Sequence, residues 1–328
     1  MKTKVTVVLM LIALSFPAIS QVTEQEATLR KQKTDTVEGW KKGAVIGINL
    51  TQTSLTNWSA GGQNSVAVGG VVSLFANYAK NQSVWDNSLD IGYGLMRQGK
   101  GTDFMKTDDK IDLLSKYGQK AGKGWYYSAL LNFKTQMTDG KDYNSADTAT
   151  ISRFLAPAYL LGAVGMDYKP NAYFSAFIAP LTGKLTIVND QTLADAGAFG
   201  VDPAVYDGSN LLIEHGAKSK REFGAYLRAI YSKNDFKQEL LKDVSFTTKV
   251  DLFTNYLKDP ERIDVSWETQ IALKVNKYIT VNINTHLLYD YDIKIEKDEN
   301  NNGSIEADEI RDRVQFKEIL AVGFSYKF

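Results

Sequence analysis

The chain has 328 residues, no cysteine, and Lys plus Arg equal to Asp plus Glu at 38 each. That balance leaves no bulk basic surface for nucleic acid and no acidic excess of a disordered chain, and the cysteine count excludes disulfides, thiolate metal sites and a lipid anchored on cysteine. Past the first twenty residues no apolar stretch is long enough for a transmembrane helix. Membrane residence would therefore need a closed sheet, the other arrangement that satisfies backbone polar groups in lipid.

Lys2 and Lys4 precede an apolar run from Val5 to Phe16, and Ala18-Ile19-Ser20 follows as a small-residue cleavage site. Residues 1–20 are expected to be a secretory signal peptide, the apolar run being short for a span of about 20 residues. Residues 21–42, with Glu24, Glu26, Arg30, Lys31, Lys33 and Asp35, read as a polar periplasmic lead-in.

From residue 43 to residue 328 apolar and polar side chains alternate over segments of about ten residues, the pattern of a transmembrane antiparallel β-barrel. About 12 strands are expected, near residues 43–53, 66–78, 84–97, 108–118, 125–136, 154–168, 173–188, 222–235, 244–257, 263–275, 279–291 and 314–328. Alternation is cleanest over 263–275. There Ile263, Val265, Trp267, Ile271 and Leu273 share one face, and Asp264, Ser266, Glu268, Gln270 and Lys274 share the other. A globular β-sandwich would alternate as well, but its loops need not segregate by length. Here short links at 80–83, 121–124, 170–171 and 276–277 take turns with long ones at 139–152, 189–220 and 294–312, so the short set is assigned to the periplasm and the long set to the cell exterior.

Strand-end aromatics form two expected girdles. Tyr78, Trp85, Trp125, Tyr168, Tyr173, Tyr278 and Phe328 lie near the turns, with Tyr256, Tyr289 and Tyr291 near the loops. In the last strand Leu320, Val322, Phe324, Tyr326 and Phe328 alternate with small or polar residues, which resembles the C-terminal signal of outer-membrane barrels; Glu318 is the exception on that apolar face. Inward positions carry both signs of charge: Asp86, Asp90, Asp112, Lys116, Lys134, Arg228, Lys249, Asp251, Asp264, Glu268, Lys274, His286, Asp290 and Asp292. Either they line a water-filled conduit or they pair across a narrow interior and plug it; the sequence favours the conduit.

The sharpest local motif spans residues 298–309 and fits the D-x-[DN]-x-[DN]-G-x5-E pattern of a calcium loop. Hard Ca²⁺ takes oxygens, here from Asp298, Asn300 and Asn302, the Ser304 carbonyl and a bidentate Glu309, while Gly303 permits the turn. The flanks read as strands, so a structural clamp with affinity of about 0.1–1 mM is expected rather than a sensor. An acidic surface loop that binds nothing is the plain alternative. No enzyme is expected: the two histidines are His215, beside Glu214 in a long loop, and His286, near Asp290, and no Gly-x-Ser-x-Gly is present. Trp58, between Asn57 and Asn64, reads as a packing residue tucked into the barrel mouth or as a stacking face for a sugar or protein.

Several segments together resemble a Bacteroidetes-type family of outer-membrane proteins known only as a domain of unknown function. They are the Asn57–Asn64 stretch, Trp85-Asp86-Asn87, Tyr93-Gly94-Leu95, Lys106-Thr107-Asp108-Asp109-Lys110, Asn132-Phe133-Lys134-Thr135-Gln136, Ala156-Pro157-Ala158-Tyr159, Ala179-Pro180-Leu181-Thr182-Gly183-Lys184 and Gly197-Ala198-Phe199-Gly200. The resemblance covers most of the chain after the signal peptide and implies a barrel in outer-membrane lipid, with no assigned activity. The functional expectation is a porin-like passive channel for small solutes. The alternative is a non-conducting accessory or scaffold that meets another outer-membrane protein through its long loops, with a hydrolase as the weakest possibility.

Overall fold

The computed structural model describes residues 38–54, 63–99, 102–143, 149–276, 279–296, 299 and 306–324. The signal peptide, Trp58, Tyr278 and Phe328 lie outside them. The fold is all-β: one antiparallel sheet of 12 strands hydrogen-bonded in chain order. The strands are β1 (Gly39–Thr53), β2 (Ser65–Lys80), β3 (Ser83–Gln98), β4 (Met105–Lys120), β5 (Trp125–Thr135) and β6 (Ala158–Tyr168), then β7 (Phe174–Ile187), β8 (Ser219–Lys233), β9 (Val244–Asn255), β10 (Ile263–Lys274), β11 (Ile279–Tyr289) and β12 (Gln315–Phe324). Each expected strand is present. β1 starts earlier than residue 43, because Gly39 and Trp40 already pair with Ala79 and Tyr78 and the Trp40 ring packs against Tyr78 and Trp85. That apolar contact was hidden behind Lys41 and Lys42.

A meander of this kind puts alternate links at opposite ends of the sheet. Links 81–82, 121–124, 169–173, 234–243 and 275–278 share one end with the start of β1 and the end of β12. Links 54–64, 99–104, 136–157, 188–218, 256–262 and 290–314 share the other. The long links hold their own structure, with short two-stranded ribbons and the helix α1 (Gln191–Asp195). Asp190 caps α1 by accepting the Leu193 N–H at 2.9 Å. Around it Ala156, Val188, Leu193, Ala194 and Val201 form a small buried core that joins links 136–157 and 188–218.

One departure from simple alternation lies in β7. Pro180 has no N–H for the ladder, and the register slips there against both neighbours: Ala179 pairs with Tyr226 and Thr182 with Gly224, while Val164 pairs with Leu181 and Met166 with Ile178. The bulge reverses parity, so Phe177 and Ala179 before it and Thr182, Lys184 and Thr186 after it all face inward. Neighbouring backbone crowds in. A Cβ on Gly165 would lie 2.0 Å from the Ile178 carbonyl oxygen, and one on Gly224 would lie 1.7 Å from that of Thr254.

The sheet is rolled. Lys317 Nζ on β12 lies 3.3 Å from Asp108 Oδ1 on β4, and Lys184 on β7 lies 2.9 Å from Asp264 on β10. Its two faces are chemically opposite. Large apolar side chains point out and stay exposed: Val164 56%, Leu181 58% and Phe316 62%, with Leu131 and Trp267 alike. Charged side chains point in and are buried: Arg228 6% exposed, Asp167 1%, with Lys116, Glu222 and Asp251 alike.

Candidate functional site

The inner face is the candidate site, and alternation alone delivers its side chains there. On β8, Glu222, Tyr226 and Arg228 sit at even positions; on β9, Lys249, Asp251 and Phe253 sit at odd ones. At its centre Leu130, Ala163, Phe177, Ala179, Tyr226 and Phe253 form a closed apolar cluster, with Phe177 and Tyr226 edge to face at 6.4 Å. Cations are laid over its rings: Lys116 on Phe177, Lys184 on Phe253 and Arg228 on Tyr226.

Charges around this cluster are paired, several of them between strands that are not neighbours. Arg228 grips Asp251 through two nitrogens, Nε at 2.5 Å and Nη2 at 3.0 Å, and the Tyr226 hydroxyl donates to the same carboxylate at 2.6 Å. Lys116 on β4 reaches over β5 to Asp167 on β6 at 2.6 Å, and Lys169 reaches Asp86 on β3 at 3.1 Å. Lys249 pairs with Glu268 at 2.7 Å and Lys134 with Asp112 at 3.7 Å, while Asp90 accepts from the Ser73 hydroxyl at 2.6 Å. Toward the long-link end Lys184 meets Asp264, Asp290 and Glu222, and Lys220 meets Asp292 and Glu222. The expected inward residues are thus brought together, apart from Lys274, which is exposed beside a turn. Asp167 and Lys169 join the pairs around Lys116; Lys184, Lys220 and Glu222 form those toward the long links, and the sequence reading misses all five. The bulge at Pro180 hides Lys184, because strict alternation carried on from Phe177 would send it outward.

The base of link 290–314 is clamped over this end of the inner face. Asp292 receives both Lys220 and Lys258, the Arg262 guanidinium stacks 3.4 Å from the Tyr291 ring centre, and a Cβ on Gly200 would fall 2.9 Å from the Asp292 Cβ. Partial burial pushes the Asp292 carboxyl up, but Lys220 and then Lys258 outweigh it and hold the group below the usual carboxylate value. The cleft beside it is lined by Glu222, Asn255, Lys258, Arg262 and Asp264 among others.

Of the expected calcium ligands, Asp298, Asn300, Asn302 and Ser304 lie outside the described residues. Glu309 is described and buried, and it faces back into its own loop. Its two oxygens accept the Glu299 N–H at 2.8 Å and the Glu306 N–H at 3.0 Å. Among the described residues no three His, Asp or Glu side chains converge as a metal cluster.

The two histidines lie on different elements, His215 in link 188–218 and His286 on β11. His215 Nδ1 lies 3.0 Å from Asp195 Oδ2. Desolvation raises the Asp195 carboxyl, yet donors from Gln191, the Gly216 N–H and His215 outweigh it and keep the group below its ordinary value. His286 Nε2 lies 2.9 Å from the Ser266 hydroxyl, a pair that sequence could not reveal because its members sit on different strands. Among the described residues no carboxylate is hydrogen-bonded to the other ring nitrogen of His286, the orientation that a nucleophile and base pair needs.

The strand-end aromatics gather in contacts at both ends: Trp125 with Tyr168 at 4.6 Å and Tyr231 with Phe246 at 6.1 Å near the short turns, and Phe223 with Tyr256 at 5.9 Å near the long links. Glu318 is exposed beside Phe316 and Leu320, on the apolar face as expected.

Residues 50–140 match the family model described as a protein of unknown function (DUF3078). The matched segment holds the first five of the eight resembling stretches, from Asn57 to Gln136. A search of curated proteins gave no match.

Proposed function

We propose that the protein is an integral outer-membrane β-barrel, delivered by its signal peptide, in which β12 closes onto β1, and that it acts as a non-conducting scaffold. The observation that carries this reading is the inversion of the two faces. Exposed side chains such as Val164, Leu181 and Phe316 would cost about 25 cal/mol per Å² of apolar area in water but nothing against acyl chains, while buried ions such as Arg228 and Asp251 are paired inside. Both termini of the sheet lie at the short-link end, so β1 and β12 run antiparallel, as closure requires. The sequence resemblance to a Bacteroidetes-type outer-membrane family fits this reading.

Of the two fates foreseen for the interior, the filled one is favoured. The Phe177 cluster and the ion pairs that bridge non-adjacent strands leave a conduit little room, and opening it would mean separating charges that now neutralise each other. Purified protein in planar bilayers is expected to be electrically silent, and discrete ionic steps would return the porin-like channel. Ca²⁺ held by Asp298, Asn300, Asn302, Ser304 and Glu309 would stiffen the last long link; the inward aim of Glu309 supports that role.

A further inference from the structure

Link 188–218 ends in a projecting ribbon, Val205–Tyr206 against Leu212–Glu214. A lone two-stranded ribbon is marginal in water, yet this one is fastened at both ends. At the tip Asp207 Oδ1 accepts the N–H groups of Ser209 and Leu211, both at 2.8 Å, and the Asp207 N–H donates to the Leu211 carbonyl at 2.9 Å. At the base Ala204 and Ala217 bond to Asp195 and Asp202, next to the small buried core. This preformed element exposes Val205, Tyr206, Leu211, Leu212 and Ile213, most fully Leu211 at 69% and Ile213 at 65%.

The charge around it has one sign. Residues 189–217 hold Asp190, Asp195, Asp202, Asp207 and Glu214 and no Lys or Arg. Asp190 is answered by Arg153 and Asp195 by His215, which leaves Asp202, Asp207 and Glu214 along the ribbon itself. An anionic leaflet surface would repel such a rim. A strand that alternates basic and apolar side chains would complement both features, adding its backbone to an open ribbon edge, its apolar side chains to the exposed face and its cations to the rim.

We propose that the Val205–Glu214 ribbon is a docking edge for an extended, basic, apolar-alternating segment of a partner protein. The inference deepens the scaffold reading and rests on it for the direction the ribbon faces. Preorganisation by Asp207 lowers the entropy cost of docking.

The test uses the full chain in lipid nanodiscs. The chain has no cysteine, and a Cβ at Gly208 meets nothing within 4 Å, so Gly208→Cys takes a single environment-sensitive dye at the tip. A synthetic peptide of about six residues, an ordinary strand length, alternating Lys and Val, is titrated beside its Glu-for-Lys counterpart. The expected result is a saturable dye response to the Lys peptide alone. It should weaken with salt and by about tenfold in the Leu211→Ser/Ile213→Ser variant. Equal response to both peptides, no response to either, or indifference to the ribbon variant would overturn the proposal. Quenching of the dye by lipid-borne quenchers without peptide would overturn it too, by placing the ribbon in the leaflet. Conductance of the same preparation separates the two ideas: a silent barrel that ignores the peptide loses only the docking edge, and a conducting barrel that binds it loses only the occlusion.

Discussion

The outer and inner faces are built from the same strands, residue by residue in turn, yet they hold together by different physics. Outward side chains such as Leu131, Val164 and Trp267 stay about half exposed and derive their stability largely from whatever solvent surrounds them. Inward ones such as Arg228, Asp251 and Tyr226 are specified by mutual geometry. The lesson is that one face should tolerate changes of shape but not of polarity, and the other should tolerate neither.

The largest effect is expected inside. Arg228→Met strands Asp251 as a buried charge and should cost about 3–5 kcal/mol in urea unfolding from detergent, whereas the double change Arg228→Met/Asp251→Leu should recover most of that loss. A single change no worse than the double would erase the contrast between the faces. On the outer face Val164→Arg should cost about 2–4 kcal/mol in bilayers and Val164→Leu almost nothing, read from folding yields in vesicles. Equal tolerance of both would mean that the apolar face meets no lipid.

Smaller effects lie at the rim. Because the folded Asp292 carboxyl sits below its unfolded value, its contribution is complete above that unfolded value, near pH 4, and is lost as pH falls through the lower folded one. Limited proteolysis of link 290–314 should therefore speed up below about pH 4, and the acceleration should vanish in Asp292→Asn. The smallest effect concerns calcium. Millimolar Ca²⁺ should raise the melting temperature slightly, and Glu309→Ala should abolish that rise while leaving the sheet folded. No rise in the parent protein would remove the ion from the account.

Most of the sheet was legible in the sequence because a strand writes its two environments into a period of two. Residues 263–275 showed Ile263, Val265 and Trp267 opposed to Asp264, Ser266 and Glu268, and β10 places them so. Less was legible wherever the period breaks. Pro180 signals a bulge only when both neighbouring registers are known, so the inward turn of Lys184 was hidden. The start of β1 was obscured in the same way, since Trp40 declares itself only by packing on Tyr78 and Trp85.

Local order alone determined the all-β class, the number of strands, the polarity of each face and where the longest links fall. It did so because hydrophobic periodicity and turn chemistry act over neighbouring residues. Only the tertiary structure decided which charges answer which. Lys116 with Asp167, Lys169 with Asp86, and Lys184 with Asp264 lie 51, 83 and 80 residues apart, brought together by the curl of the sheet. Pairing at that range depends on how far the sheet rolls and where it bulges, and neither is written in any single strand.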